Sequence, residues 1–198
     1  MKGRTPPPPA ARRHAPHEVR IIGGLWKRTR LAVADKPGLR PTPDRVRETL
    51  FNWLGQDLTS LRCIDAFAGT GALGLEAASR GAAAVLLVEQ DLALAQQLRE
   101  TVARLAAGAV EVIRGDGIST LQRQAPASAD VVFIDPPFDA GLFESALAAA
   151  VPALREGGSI YLEAPERWSG ERLAPFGLVA LRHLKAGAVH AHLLQRTA

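Results

Sequence analysis

The 198-residue sequence predicts an α/β protein built on a doubly wound, mostly parallel sheet. Three observations carry that expectation. Short apolar runs alternate with amphipathic stretches from residue 61 onward, glycines punctuate the junctions, and the last two apolar runs are joined by a turn with no helix between them. Strands that alternate with helices are buried on both sheet faces, which explains why the runs are apolar throughout instead of at every second position. The final pair predicts a hairpin, and with it antiparallel strands at one sheet edge.

The elements follow in chain order. Val19-Arg20-Ile21-Ile22, Gly23-Gly24, Leu25-Trp26 and a basic run to Leu31-Ala32-Val33 predict short extended segments around glycine turns. Residues 36–41 predict a loop, after which Thr42 is expected as N-cap, with Pro43 at the first helical position and Asp44 in the first turn. That helix carries Val46, Leu50, Trp53 and Leu54 on one face and ends at Gly55. Strands are expected at Leu61 to Ala66, Val85 to Val88, Val110 to Ile113, Val131 to Ile134 and Ser159 to Glu163. Helices are expected from Ala72 to Arg80, from Asp91 through Leu94, Leu98, Val102 and Leu105, around Ile118 to Leu121, and from Leu142 to Leu154. Leu178 to Leu184 and Ala188 to Leu194 flank Lys185-Ala186-Gly187 as the hairpin.

Composition narrows the function classes. At 47% hydrophobic and 22% charged, the chain is neither disordered nor a membrane protein, and no stretch reaches the roughly 18 apolar residues of a span. Residues 1–16 lack an apolar signal region, so neither secretion nor membrane insertion is expected. One cysteine, Cys63, excludes a disulfide framework and a cysteine-based zinc site, and points to the reducing cytoplasm. The net charge of +4 is unevenly placed: residues 1–47 hold twelve Lys/Arg against Glu18, Asp35 and Asp44, a balance of +9 that leaves −5 for the rest. A basic first quarter on a mildly acidic body suggests a polyanion-binding arm on a catalytic or ligand-binding domain. The stretch through Pro6–Pro9 cannot form a packed core and reads as a solubilising tail.

Asp65-Ala66-Phe67-Ala68-Gly69-Thr70-Gly71-Ala72-Leu73-Gly74 lies where the first strand of the sheet meets its helix. Gly69, Gly71 and Gly74 permit a tight turn and close backbone approach to a ligand at the carboxyl end of a strand. Glu89, eighteen residues past Gly71, ends the next strand and is placed to accept from ribose hydroxyls. Both features point to an adenosine-type cofactor. A carboxylate four residues before the first glycine would be repelled by a pyrophosphate and favoured beside the sulfonium or ammonium of S-adenosylmethionine, with NAD as the alternative at this point. Asp116, after the third strand, is a candidate acceptor for the adenine amino group or simply a loop cap.

Val132-Phe133-Ile134-Asp135-Pro136-Pro137-Phe138 is more specific. Two prolines fix the backbone just past a strand and remove two amide donors, leaving acceptors. An amine conjugated to a base ring is a poor nucleophile. The Asp135 carboxylate and Pro136 carbonyl can accept both of its hydrogens and turn its lone pair toward a methyl donor, so that catalysis comes from positioning and electrostatics. Phe138 is expected to stack on an extruded base.

Together with Arg20-Ile21-Ile22-Gly23-Gly24, Gly38-Leu39-Arg40-Pro41-Thr42, Asp44-Arg45-Val46-Arg47-Glu48 and Leu50-Phe51-Asn52-Trp53-Leu54, these motifs resemble the bacterial 16S ribosomal RNA guanine-N2 methyltransferases that modify guanine 966, from about Arg20 to Gln195. The resemblance implies a Rossmann-like methyltransferase sheet of seven strands with a reversed last strand. It also implies S-adenosylmethionine as donor and S-adenosylhomocysteine as product, no metal, and a small ribosomal subunit or its assembly intermediate as partner of a cytoplasmic monomer. It places Asp65, Phe67, Gly69, Gly71, Glu89, Asp116 and Gly117 at cofactor positions and Asp135, Pro136, Pro137 and Phe138 at the catalytic motif. The expected organisation is a disordered Pro/Arg-rich tail (1–19), a basic RNA-facing segment of hairpin, loop and helix (20–57), and the methyltransferase domain (58–198). Arg20, Lys27, Arg28, Arg30, Arg40, Arg45 and Arg47 are expected to contact RNA phosphates.

The sequence departs from the family's pattern where Trp26-Lys27-Arg28-Thr29-Arg30 replaces Trp-Arg-Gly-Arg, so this turn lacks its glycine. Trp26 is a candidate for base stacking or for the core. His190 and His192 alternate on a hairpin strand with no third ligand in the motif, which argues against a metal site. The same Asp-Pro-Pro-aromatic chemistry also serves adenine N6 in DNA or another RNA and a protein glutamine amide. A non-enzymatic RNA-binding assembly factor on this scaffold is the other alternative.

Overall fold

The computed structural model describes residues 18–34, 42–138 and 140–197. An antiparallel pair, β1 (Glu18–Arg20) and β2 (Arg30–Ala32), comes first and is followed by helix α1 (Asp44–Trp53). The alternating part then runs β3 (Arg62–Asp65), α2 (Ala72–Ser79), β4 (Ala84–Glu89), α3 (Leu92–Arg104), β5 (Val110–Arg114), α4 (Gly117–Gln122), β6 (Ala129–Ile134), α5 (Phe143–Ala153) and β7 (Leu154–Ala164). It closes with α6 (Gly170–Leu173), a 3-10 turn over Ala174–Phe176, β8 (Leu178–Ala186) and β9 (Val189–Arg196). The expected strands and helices are all present. The short α6 turn is an addition that the sequence pattern does not signal.

Seven strands form one sheet in the order β5-β4-β3-β6-β7-β9-β8. Pairing is parallel from β5 through β7, and β9 runs antiparallel to both of its neighbours. The reversed strand therefore lies inside the edge, with β8 outermost. Along β6 every residue is buried, Val131 and Phe133 on one face and Val132 and Ile134 on the other, as a central strand covered on both sides requires.

The basic segment is not an appendage. Val19, Ile21, Leu31, Val33, Val46, Leu50 and Phe51 are buried in the same cluster as Leu75, Phe133 and Tyr161. Glu18 and Val19, assigned to the tail by the sequence, pair with Ala32 and Leu31 in β1. The hairpin is fastened to α2 by its polar side chains: Ile22 and Gly23 donate their amides to the two oxygens of the buried Glu76 carboxylate at 2.7 and 2.8 Å, and Trp26 donates to Ser79 Oγ at 2.9 Å. At the hairpin turn Arg28 holds φ +72°, in the left-handed region where glycine is unstrained and an arginine carries a backbone cost.

Two expectations for the segment are corrected. Arg47 is fully buried, its guanidinium donating to the Thr42 and Arg20 carbonyls and to Asp44, 3.6 Å from Glu76, so it braces α1 and has no face to offer a phosphate. Thr42 does not cap α1: Pro43 occupies that position without a side-chain cap, and the Thr42 hydroxyl is used elsewhere.

Candidate active site

The sheet order turns outward in both directions from the boundary between β3 and β6, the place where ligands bind at strand carboxyl ends in open α/β folds. Asp65 and Asp135 stand on either side of that boundary, one at the end of β3 and one just past β6. Glu89 ends β4 and Glu163 lies one residue before the end of β7, so four carboxylates line one rim. Two clefts of about 350 and 710 Å³ open elsewhere. The first lies against the amino ends of β3 to β5 and the second, lined by Lys27, Glu48, Asp57 and Arg80 among others, between the hairpin turn and the carboxyl ends of α1 and α2; none of the four rim carboxylates lines either.

The loop from β3 crosses the rim toward β4. Ala66 donates its amide to Phe133 O at 3.1 Å, Ala68 to Val88 O at 2.9 Å, and Gly69 to Glu89 Oε2 at 2.9 Å. Gly69 and Gly71 both have positive φ, +52° and +78°, and Gly71 opens α2. Gly74 serves packing: a Cβ there would lie 2.2 Å from Leu87 Cδ2, so only glycine lets α2 approach β4 this closely. Gly117 is equally constrained, because its Cβ would lie 2.1 Å from the Ala66 carbonyl, while Phe67 is half-buried beside it.

The carboxylates differ in what they already hold. Asp65 Oδ2 accepts from the Gly74 amide at 3.0 Å, whereas Oδ1 is buried with no hydrogen-bond partner among the described residues. Burial first, then the nearby Glu89, pushes its pKa up to about 7 against the pull of its amide donors. Glu89 accepts from Gly69 and, at 2.7 Å, from Asp91, each oxygen keeping a further lone pair. Exposed Asp116 caps α4 by accepting from the Ser119 amide at 2.7 Å, and hydrogen bonds from Ser119 hold its pKa low.

Asp135 is half-buried, Pro136 buried, and Pro137 and Phe138 exposed. The Phe138 ring rests on Phe143 with centroids 6.3 Å apart, the first of a chain of aromatic contacts reaching Trp168 and Phe176. Beneath the opposite face Phe51, Phe133 and Tyr161 pack in series. Burial and the charges of Glu163 and Asp65 push the Asp135 carboxyl well above its usual range, with Thr42 opposing them. Glu163 and Tyr161 form a second polar layer absent from the motif list. A carboxylate closing an apolar strand is the signal that marks Asp65, and Ser159 to Glu163 carries it too.

Among the cations, Lys27, Arg28 and Arg45 are exposed, Arg20 pairs with Asp44 at 2.7 Å, and Arg30 pairs with Glu18 at 2.9 Å. Arg40 lies outside the described residues. Trp26 is half-buried against the core. His192 is buried, its Nδ1 donating to Leu162 O at 3.3 Å and its Nε2 accepting from the Trp168 amide at 3.1 Å. Both ring nitrogens are used, and burial pushes the pKa down to about 4, so the ring is neutral.

A parallel sheet carrying one reversed strand, a glycine loop after its first strand and an Asp-Pro-Pro-Phe turn across the switch point together define a methyltransferase of Rossmann-like fold. The precorrin-6y C5,15-methyltransferase of Geobacter metallireducens, 19% identical, shares that fold at a TM-score of 0.67 over 84% of this chain and 93% of its own. The chain belongs to the family described as Conserved hypothetical protein 95, whose model matches residues 19–195. It is 44% identical over 176 residues to the Escherichia coli (strain K12) protein named Ribosomal RNA small subunit methyltransferase D, covering 83% of this chain and 88% of that one. The Haemophilus influenzae protein of the same name is 40% identical over 182 residues, covering 85% and 94%. A solved Escherichia coli structure matches at a TM-score of 0.78 and 39% identity over 92% of this chain and 99% of its own. No helix among the described residues is long and apolar enough to cross a membrane.

Proposed function

We propose that this methyltransferase transfers a methyl group from S-adenosylmethionine to the exocyclic N2 amine of one guanine, equivalent to guanine 966, in 16S ribosomal RNA of the small subunit or its assembly intermediate, acting as a monomer in the cytoplasm. The observation that carries the proposal is the placement of Asp65 and Asp135 at the ends of adjacent parallel strands on either side of the switch point. The names of the relatives supply the RNA and the subunit.

The site fits a cationic adenosine cofactor. Asp65 Oδ1 is buried with no hydrogen-bond partner among the described residues, a costly state for a carboxylate unless a cation or donor completes it. The loop glycines keep the backbone close, Glu89 offers lone pairs to a ribose diol, and the exposed Asp116 carboxylate, next to Gly117, suits an adenine edge. S-adenosylmethionine, when bound, supplies a methyl group on a positively charged sulfur. The residues of the chain do the rest: Asp135 and the Pro136 carbonyl accept the two amine hydrogens, and the exposed Phe138 ring stacks on the base. As the amine becomes cationic, the Asp135 carboxylate stabilises it, and this electrostatic contribution is the larger part of catalysis. Arg20, Lys27, Arg28, Arg30 and Arg45 hold phosphates of the RNA.

Mapping modified nucleotides in small-subunit RNA from cells with and without this gene tests the assignment. One N2-methylguanine disappears with the gene. A lost mark on DNA, on another RNA or on a protein glutamine, with the 16S pattern unchanged, overturns it.

A further inference from the structure

Between the basic segment and the catalytic turn lies a hydroxyl that the reaction as described does not use. Thr42 Oγ1 donates to Glu163 Oε2 at 3.0 Å and lies 3.4 Å from Asp135 Oδ2, and the Tyr161 hydroxyl donates to the same Glu163 oxygen at 2.9 Å. Thr42, Glu163 and Tyr161 are all buried. We propose that Thr42 and Glu163 are positioning residues for Asp135, setting the orientation in which its carboxylate meets the target amine, and that buried Arg47 holds Thr42 in register for this task. The inference rests on the reading of Asp135 as the amine-accepting group.

Three observations lead there. A hydroxyl has one hydrogen, so it cannot donate to two carboxylates at once. The row Asp135–Thr42–Glu163 is complete when one proton sits on Glu163, which then donates to the Thr42 oxygen while the Thr42 hydroxyl turns to Asp135, leaving Asp135 an ionised acceptor for the amine. Burial raises the pKa of both carboxyls, so the pair holds one proton more readily than two charges, and a proton on Glu163 removes the charge that raises Asp135. Second, Thr42 is not placed by local helix chemistry, since it leaves the cap position of α1 to Pro43. Its carbonyl is gripped at 3.1 Å by Nε of Arg47, which also takes the Arg20 carbonyl at 2.9 Å and Asp44 at 2.5 Å. Third, the titratable groups around Asp135 come from separate elements: Asp65 from β3, and Glu163 and Tyr161 from β7. Among the described residues, Thr42 is the hydrogen-bonding link between that group and the segment carrying Arg20, Asp44 and Arg45. Binding RNA to that segment therefore bears directly on the orientation of Asp135.

The test uses the full chain with S-adenosylmethionine, isolated small subunits lacking the mark, and four variants. Thr42→Val keeps size and removes the hydroxyl, Thr42→Ser restores it, Glu163→Gln keeps an acceptor for both hydroxyls and removes the charge, and Asp135→Ala is the reference. Thr42→Val lowers kcat about tenfold or more while its thermal midpoint and cofactor Kd stay near wild type, and Thr42→Ser recovers most of that loss. Glu163→Gln removes the negative neighbour of Asp135, so the acid limb of kcat moves about one pH unit lower. Wild-type kcat in Thr42→Val together with an unmoved acid limb in Glu163→Gln overturns the inference if Asp135→Ala is inactive. If Asp135→Ala is itself active, the underlying site assignment is what fails.

Discussion

At Asp65 the fold buries a carboxylate with one oxygen on the Gly74 amide and the other with no hydrogen-bond partner among the described residues. In the unfolded chain this group titrates near 3.9, and in the folded one near 7. Between those values the folded state holds the extra proton, so its contribution to stability is fully present below about pH 4 and is lost as pH rises through 7, amounting to about 4 kcal/mol. Denaturant melts of the ligand-free protein at pH 5 and pH 8 therefore show a loss on going to pH 8 that Asp65→Asn largely removes, and the variant is the more stable at pH 8. The same change weakens S-adenosylmethionine binding, because the anion that is costly without ligand is what receives its positive charge. Parallel pH slopes for the two proteins would contradict the assignment. Arg47 is the opposite lesson at this scale. It lies between buried Val46 and exposed, acidic Glu48, two residues after exposed Arg45, and as a charged residue it reads as a surface cation; the fold brings Glu76 and the Arg20 carbonyl around it.

The helices and strands were legible because their signals are local. Alternation separates Val131 and Phe133 from Val132 and Ile134, and glycines mark the turns before α2 and after β8. The rim carboxylates Asp65 and Asp135 were legible for the same reason, since each sits in a contiguous motif. Locally Thr42 has the pattern of a cap and Glu163 that of a strand end, because the hydrogen bond that joins them spans 121 residues, which no window of sequence contains. The β1–β2 hairpin likewise reads in sequence as a basic arm, with no local mark of the core it enters. Its Val19, Ile21, Leu31 and Val33 are all buried, and at about 1.5–3 kcal/mol each their burial is comparable to the whole stability of a domain. A chain beginning at residue 42 is thus expected to unfold or aggregate, lacking a cooperative melt. A folded, S-adenosylmethionine-binding truncation would show that the hairpin is dispensable after all.

Across the whole molecule, the charge imbalance seen in sequence becomes a spatial layout. Arg20 and Arg45 sit at the start of α1 near the rim, while Lys27 and Arg28 sit at the hairpin turn beside Ser79, the far end of a helix of eight residues that spans about 12 Å. The proposed RNA footprint therefore runs from the catalytic turn down one side of the protein, and with Arg47 buried it is smaller than the residue count suggests. Replacing Lys27 and Arg28 by Gln is expected to flatten the dependence of log RNA affinity on log salt by about 1.5, leaving cofactor affinity unchanged. An unaltered slope would remove the hairpin turn from the footprint.

The central claim joins the rim of this sheet to one guanine amine, and the most direct measurement is incorporation of labelled methyl from S-adenosylmethionine into small subunits isolated from cells lacking the gene. The wild-type protein is expected to place a single methyl group on one guanine N2 of the 16S RNA, while Asp135→Ala binds S-adenosylmethionine with unchanged affinity and transfers none. Full transfer by Asp135→Ala, or no transfer by the wild type to any guanine of that RNA, would contradict it.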